Sequence, residues 1–229
     1  MNAAVIVFPG SNCDRDVAVC LEQAMGHKPA MIWHGDAQVP ACDLIVLPGG
    51  FSYGDYLRCG AMAAHSAVMR DVIAKSKAGT PVLGICNGFQ ILCEAGLLPG
   101  VLLRNRDLRF ICRDVTLKVE RTDTMFTSGY SRDQVIRFPI AHAEGNYFAE
   151  KATLDRLEGE GRVAFRYCDA SGAVTDAANP NGAQRNIAGI LDGSSRVLGV
   201  MPHPERLADA QLGGTDGRAL FDSLVASLH

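Results

Sequence analysis

Residues 81–90, Pro-Val-Leu-Gly-Ile-Cys-Asn-Gly-Phe-Gln, constrain the fold more than any other stretch of this chain. An apolar run of strand character stops at Cys86, which has a glycine two residues before it and another two after. The chain then resumes at helical spacing with Phe89, Leu92 and Ala95. That order is strand, sharp turn and helix, with Cys86 at the apex. In a G-x-C-x-G turn the glycines let strand and helix approach closely while the central side chain points out of the end of the sheet. A thiol held there is a candidate nucleophile.

The rest of the chain reads as an α/β protein. Ala3 to Phe8 form a first strand, followed by a helix on Val17, Leu21 and Ala24 that ends at Gly26. Ser11 or Asn12 is expected to cap it, with Asp14 and Asp16 in its first turn. Residues 30–33 and 43–47 read as further buried strands, and strand, helix, strand opens a parallel sheet. The glycine-rich segment from Pro48 to Tyr56 follows a strand, where open α/β sheets line their ligand crevice. One helix is predicted over 57–78, with Leu57, Ala61, Ala64, Val68 and Val72 on one face. Beyond Val101 the period changes: Val115, Leu117 and Val119 alternate with polar residues, which marks a half-exposed antiparallel strand. Strands are predicted near 135–140, 163–167, 187–191 and 196–201, a short helix at 151–158 and a surface loop over 169–186. Thr215 is expected to cap a terminal helix that turns Leu220, Leu224 and Leu228 to the core.

Composition removes several classes of function. A net charge of -3 offers nothing to attract nucleic acid or an anionic membrane. The richest apolar window, 81–103, is interrupted by Asn87, Gln90 and Glu94 and does not suit a membrane span. The apolar start runs into Pro9-Gly10 and reads as a strand, not a secretion signal, so a cytoplasmic protein is expected. Eight cysteines are scattered without C-x-x-C pairs, so neither a metal site nor a disulfide framework is expected. All except Cys86 are read as small, reduced core residues.

A catalytic thiol needs a base, and the base needs an orienting group. His203 lies in Met-Pro-His-Pro-Glu, residues 201–205, at the end of an apolar strand. The two prolines predict an extended, rigid segment, in which His203 and Glu205, two apart, face one cleft as base and orienting carboxylate. A helix N-terminus and an imidazolium both favour thiolate at Cys86. Gly50 and Asn87 are the expected backbone donors of an oxyanion hole.

Pro48-Gly49-Gly50, the 84–90 turn and Pro202-His203-Pro204-Glu205 resemble the three signatures of the class I (triad) glutamine amidotransferases. Longer stretches, among them 49–58, 141–147, 179–190 and 201–206, are similar to the branch whose glutaminase subunits serve purine biosynthesis. The resemblance implies a flavodoxin-like open, mostly parallel sheet with helices on both faces and an additional antiparallel portion in the C-terminal half, as one domain over 1–229. It implies that Cys86 forms a γ-glutamyl thioester with L-glutamine, that His203 moves protons and that Glu205 orients it. It further implies that Gln90, Leu108, Arg109 and Phe110 recognise the substrate. Arg58, His142 and Glu144 are candidates for a partner or tunnel surface; a buried turn explains His142 and Glu144 equally well. The chain has no phosphate-binding G-x-x-x-x-G-K-[ST] loop. The resemblance accordingly implies no cofactor here, ATP and Mg on a large synthetase subunit that receives the ammonia, and a small bridging subunit. A stand-alone cysteine hydrolase and a non-catalytic regulatory relative are the competing readings. The Pro-His-Pro-Glu segment opposes the first, and three competent triad residues oppose the second.

Overall fold

A computed structural model describes residues 1–228. A nine-stranded sheet organises them. At one side β2 (Ala30–Trp33), β1 (Ala3–Val7), β3 (Leu44–Leu47), β4 (Val82–Ile85) and β11 (Val197–Val200) run parallel in that spatial order. The sheet continues antiparallel through β10 (Ile187–Leu191), β9 (Val163–Cys168), β6 (Ile111–Val119) and β7 (Val135–His142). The parallel part has the doubly wound order 2-1-3-4-5, with β11 in the last place. A separate ribbon pairs β5 (Val101–Leu103) with β8 (Asn146–Phe148).

The burial patterns follow the residues. β3, β4 and β11 are apolar and buried along their whole length, as interior parallel strands must be. β6 and β7 alternate, with Val115, Leu117, Val119, Ile136, Phe138 and Ile140 facing the core. Helix α1 (Asp14–Met25) buries Val17, Cys20 and Leu21 and ends at Gly26 in the left-handed conformation. It packs against β1 and against the terminal helix α6 (Arg218–Ser227). Helix α4 (Asn87–Glu94) packs on β3, β4 and β11, and α5 (Lys151–Gly159) precedes β9.

Four local expectations are corrected. The single helix over 57–78 is two: α2 (Ala61–Ala64) and α3 (Ala67–Lys77), with Ser66 extended between them. Leu57 is left-handed (φ 71°) and exposed, in a loop whose residues 52–55 form a 3₁₀ turn. Packing of α2 on α4 overrides the continuous apolar spacing. At α1 the cap position is Cys13, and its side chain makes no capping bond. The Ser11 hydroxyl instead accepts from Phe8 N–H (3.1 Å) and the side-chain Oδ1 of Asn12 from the Cys13 thiol (3.3 Å). Thr215 offers α6 only its backbone carbonyl, because the cap position is Gly217. The segment 169–186 is not a plain surface loop: it holds two 3₁₀ turns and turns Asn179, Asn181 and Asn186 inward.

One of the two closest backbone approaches in the scaffold is at the turn around Cys86. A methyl group on Gly88 would stand 1.9 Å from the carbonyl oxygen of Leu47, so the start of α4 rests directly on the end of β3. Gly88→Ala is expected to destabilise the fold by about 3 kcal/mol, a fall in Tm of roughly 6–12 °C. Gly159→Ala, where nothing lies within 4 Å and φ is not left-handed, should be neutral or slightly stabilising. Thermal denaturation of the two variants side by side checks both outcomes.

Candidate active site

The loops after β1, β3, β4 and β11 leave the same end of the parallel sheet and converge. They enclose a cavity of about 210 Å³ lined by Asn12, Cys13, Gly50, Phe51, Cys86, Phe110, Cys112, Ala141, His203 and Arg206. Its position is the crevice at the strands' carboxyl ends, next to the β1/β3 switch point.

Cys86 sits at the apex with φ 51° and ψ −106°, a backbone strained for a non-glycine residue by about 1–3 kcal/mol. Its N–H is held by the Val200 carbonyl at 2.8 Å, which ties the turn to β11. A Cβ on Gly84 would meet the Gly88 carbonyl at 2.7 Å, so both flanking glycines serve the close strand–helix contact. Asn87 opens α4, where helix amides lack intrahelical acceptors, and Gly50 lines the facing wall.

His203 donates its backbone N–H to Pro139 (2.8 Å), and its Nδ1 lies 2.6 Å from Glu205 Oε1. Both side chains are buried. The expected extended segment is corrected in part: His203 is extended, but Pro204 begins a 3₁₀ helix, Pro204–Leu207. The turn itself brings Glu205 under the imidazole. Burial opposes the imidazolium, but the Glu205 carboxylate and the Cys86 sulfur outweigh it and hold His203 well above the ordinary histidine value. The pairing with Glu205 thus favours the imidazolium form of His203. Gly49 packs flat on it: a Cβ there would stand 2.7 Å from His203 Cε1.

The remaining predicted residues fall into separate groups. Phe110 lines the cavity and stacks obliquely on Phe51, whereas Leu108 is exposed and outside it. Arg109 contributes a carbonyl to Asn105 Nδ2 (2.8 Å). Gln90 lies beneath the cavity, accepting from Asn87 Nδ2 (2.8 Å) and donating to the Glu144 carbonyl (2.6 Å). Asn87 also accepts from Ser52 N–H (3.2 Å), which links the β3 loop, α4 and the turn after β7 in one polar line. Arg58 grips Glu94 with both ends of its guanidinium, and Glu144 faces Arg104 at 3.7 Å.

His142 is built into a buried turn. Its Nδ1 donates to Asn105 Oδ1 (3.0 Å), which also accepts from Gly145 N–H (3.0 Å). Asn105 Nδ2 donates to the His142 carbonyl (2.9 Å), and Asn181 Nδ2 to the Gly145 carbonyl (2.8 Å). Asn105 and Asn181 escaped sequence reasoning because isolated asparagines carry no periodic signal. Cys13, Cys112 and Arg206 escaped it too. Cys112 is exposed and Cys42 and Cys93 are only half-buried, which corrects their reading as core cysteines; Cys13 is buried as expected but, like Cys112, lines the cavity.

With this geometry in place, comparison with known proteins is decisive. The model of the CobB/CobQ-like glutamine amidotransferase domain matches residues 1–213. The chain belongs to this family. It is 59% identical to the phosphoribosylformylglycinamidine synthase subunit PurQ of Bradyrhizobium diazoefficiens, over 100% of this chain and 99% of that one. The PurQ of Rhodospirillum rubrum is also 59% identical, with 100% of both chains covered. Among solved structures, PurLQS from Thermotoga maritima matches with a TM-score of 0.88 at 42% identity, covering 100% of this chain and 99% of that one. The glutaminase domain of Trypanosoma brucei CTPS shares the fold at 14% identity, with a TM-score of 0.59. This amidotransferase thus carries its family's fold with an extended antiparallel edge.

Burial and the nearby His203 pull His142 down to about 4, so it is neutral at pH 7. Below about pH 6.5 the unfolded chain takes up a proton at His142 that the folded chain refuses until about pH 4. Stability contributed by this site is therefore lost as pH falls through that window, by about 2–3 kcal/mol. Urea unfolding at pH 7 and pH 4.5 should show His142→Gln less stable at pH 7 but with a smaller loss on acidification than the parent.

Proposed function

We propose that the chain is the glutaminase subunit of phosphoribosylformylglycinamidine synthase, with Cys86, His203 and Glu205 as its working triad. The observation that carries this reading is the convergence of a strained thiol and a buried His203–Glu205 pair, 2.6 Å apart, on one cavity. The Cys86 thiolate attacks the side-chain amide carbon of L-glutamine, and the negative oxygen that forms is met by the amides of Gly50 and Asn87. His203, favoured as imidazolium by Glu205, protonates the leaving ammonia, which leaves a γ-glutamyl thioester. The neutral imidazole then takes a proton from water, which attacks the thioester and frees glutamate. Glu205 fixes the ring and stabilises its charge through both steps. No step asks for a cofactor on this chain.

The ammonia goes to a large synthetase subunit that holds ATP and Mg and converts formylglycinamide ribonucleotide to formylglycinamidine ribonucleotide in purine biosynthesis. A small bridging subunit completes the assembly. Tyr56, Leu57, Leu108 and Phe110 are exposed around the cavity loops, a suitable apolar rim for that partner to cover. Gln90 supports the glutamine pocket from below, while Arg58 and Glu144 brace its loops through Glu94 and Arg104. We read residues 1–229 as one amidotransferase domain acting in the cytoplasm.

Two variants test the triad in the presence of the synthetase subunit. Cys86→Ala should abolish glutamate release and labelling by a glutamine-analogue electrophile; persistent labelling would reject the nucleophile. Gly49→Ala should lower glutamine-dependent turnover roughly 10²-fold by displacing His203, with ammonia-dependent synthesis by the partner intact.

A further inference from the structure

β7 is an edge strand of the sheet and pairs there only with β6, so every second residue turns its backbone polar groups outward. Arg137 and Pro139 are two such residues, and the outward groups of both are taken. Arg137 N–H donates to Asp216 Oδ2 (2.7 Å), while the Pro139 carbonyl accepts from the backbone N–H of His203 (2.8 Å). We propose that Asp216 and Gly217 are positioning residues for the reaction: they clamp the Pro204 peptide against β7 and so hold His203 and Glu205 in register with Cys86. This role rests on the reading of His203 and Glu205 as triad members.

The clamp closes through one contact. A Cβ on Gly217 would stand 1.9 Å from the Pro204 carbonyl oxygen and 2.9 Å from Pro204 Cα, so the entry to α6 lies directly on the residue between base and carboxylate. Gly217 has an ordinary φ of −76°, so glycine is needed here for the approach and not for the dihedral. Its N–H donates to the Leu207 carbonyl (2.9 Å), which fixes the far end of the 3₁₀ helix as well. Asp216 is anchored a second time, since its carbonyl accepts from the Tyr130 hydroxyl (2.8 Å). The Arg137 guanidinium also reaches the Gly213 carbonyl (2.7 Å). A closed circuit results: it runs from β7 through Asp216, Gly217, Pro204 and His203 and returns to β7 two residues on.

The circuit matters because the side chains of the pair have little else to hold them. They are bonded to each other at 2.6 Å, but among the described residues His203 Nε2 and Glu205 Oε2 have no hydrogen-bond partner. The Glu205 carbonyl accepts from the Cys20 thiol at 3.4 Å, a weak tether to α1. Two buried side chains joined chiefly to each other take their place from the backbone beneath them. A displacement of about 1 Å at Pro204 therefore passes to the base, and a misplacement of that size costs roughly 10²-fold in rate. Asp216 and Gly217 do not line the cavity, so they act through Pro204 and not on the substrate.

Glutaminase kinetics at saturating synthetase subunit test the role. Asp216→Ala should lower kcat roughly tenfold with KM within about twofold of the parent. Asp216→Asn keeps a side-chain oxygen for Arg137 N–H and should restore most of the loss. Gly217→Ala should cost roughly 10²-fold. Leu154→Ala, a core truncation on α5, should lower Tm by more than Asp216→Ala does while leaving kcat at the parent value. The two sites should also be coupled. In a Glu205→Gln background, Asp216→Ala should lower kcat by less than about twofold, because the pairing it positions is already broken. Parent-like kcat in Asp216→Ala, no recovery in Asp216→Asn, or full multiplication of the two losses would overturn the proposal. Failure of the triad reading is distinct from these outcomes, since it would appear as parent-like turnover in Glu205→Gln itself.

Discussion

The contact on which the rest of the structure depends is the seat of α4 on β3. Gly88 lies so close to the Leu47 carbonyl that no side chain fits between them. This approach sets the direction in which the chain leaves β4 and forces Cys86 into a left-handed backbone. A strained residue persists only where its surroundings over-determine it. Here the constraints are the β11 carbonyl that holds the Cys86 amide, the glycine pair and the buried face of α4. The thiol is consequently delivered between the β3 loop and the β11 loop, the two segments that hold its neighbours in the cavity.

Around that seat, irregular backbone is stabilised by amides. Turns that run inside a protein leave N–H and C=O groups without secondary-structure partners, and these must be satisfied locally. Asn105, Asn181, Asn87 and Gln90 each bond to backbone groups or to one another across segments distant in sequence. His142 belongs to this scaffolding, since its ring bonds to Asn105 and carries no charge at neutral pH. The turn it holds includes Glu144, whose carbonyl accepts from the side chain of Gln90 on α4. The polar interior therefore couples the antiparallel edge of the sheet to the parallel half.

The antiparallel extension also has a direct effect on the cavity. A five-stranded doubly wound sheet would leave the crevice open beyond β11. Adding β10, β9, β6 and β7 places Phe110, Cys112 and Ala141 on the far wall. The Pro139 carbonyl on β7 holds the backbone of His203. The base is thus positioned between two parts of the sheet, with its carboxylate partner supplied by the short helix that begins at Pro204.

Local patterns in the sequence determined the strands, the turn at Cys86, the change from parallel to antiparallel pairing and the identity of the His203–Glu205 pair. Each is written in neighbours a few residues apart: uniform apolar runs, glycines flanking a thiol, alternation in 115–119, and prolines beside a histidine. Helix breaks and caps were less legible. The split at Ser66 and the cap at Cys13 depend on what packs against those segments, not on their own composition. The 169–186 segment looked like surface because asparagine suits exposed turns and buried ones equally. Only the tertiary structure decided which of eight cysteines share the cavity, because Cys13, Cys86 and Cys112 meet by sheet topology across nearly a hundred residues. The Cys86 turn itself was readable from its glycines. Its surroundings were not, since contacts between strand ends are set by the order of strands in the sheet, which no local spacing records.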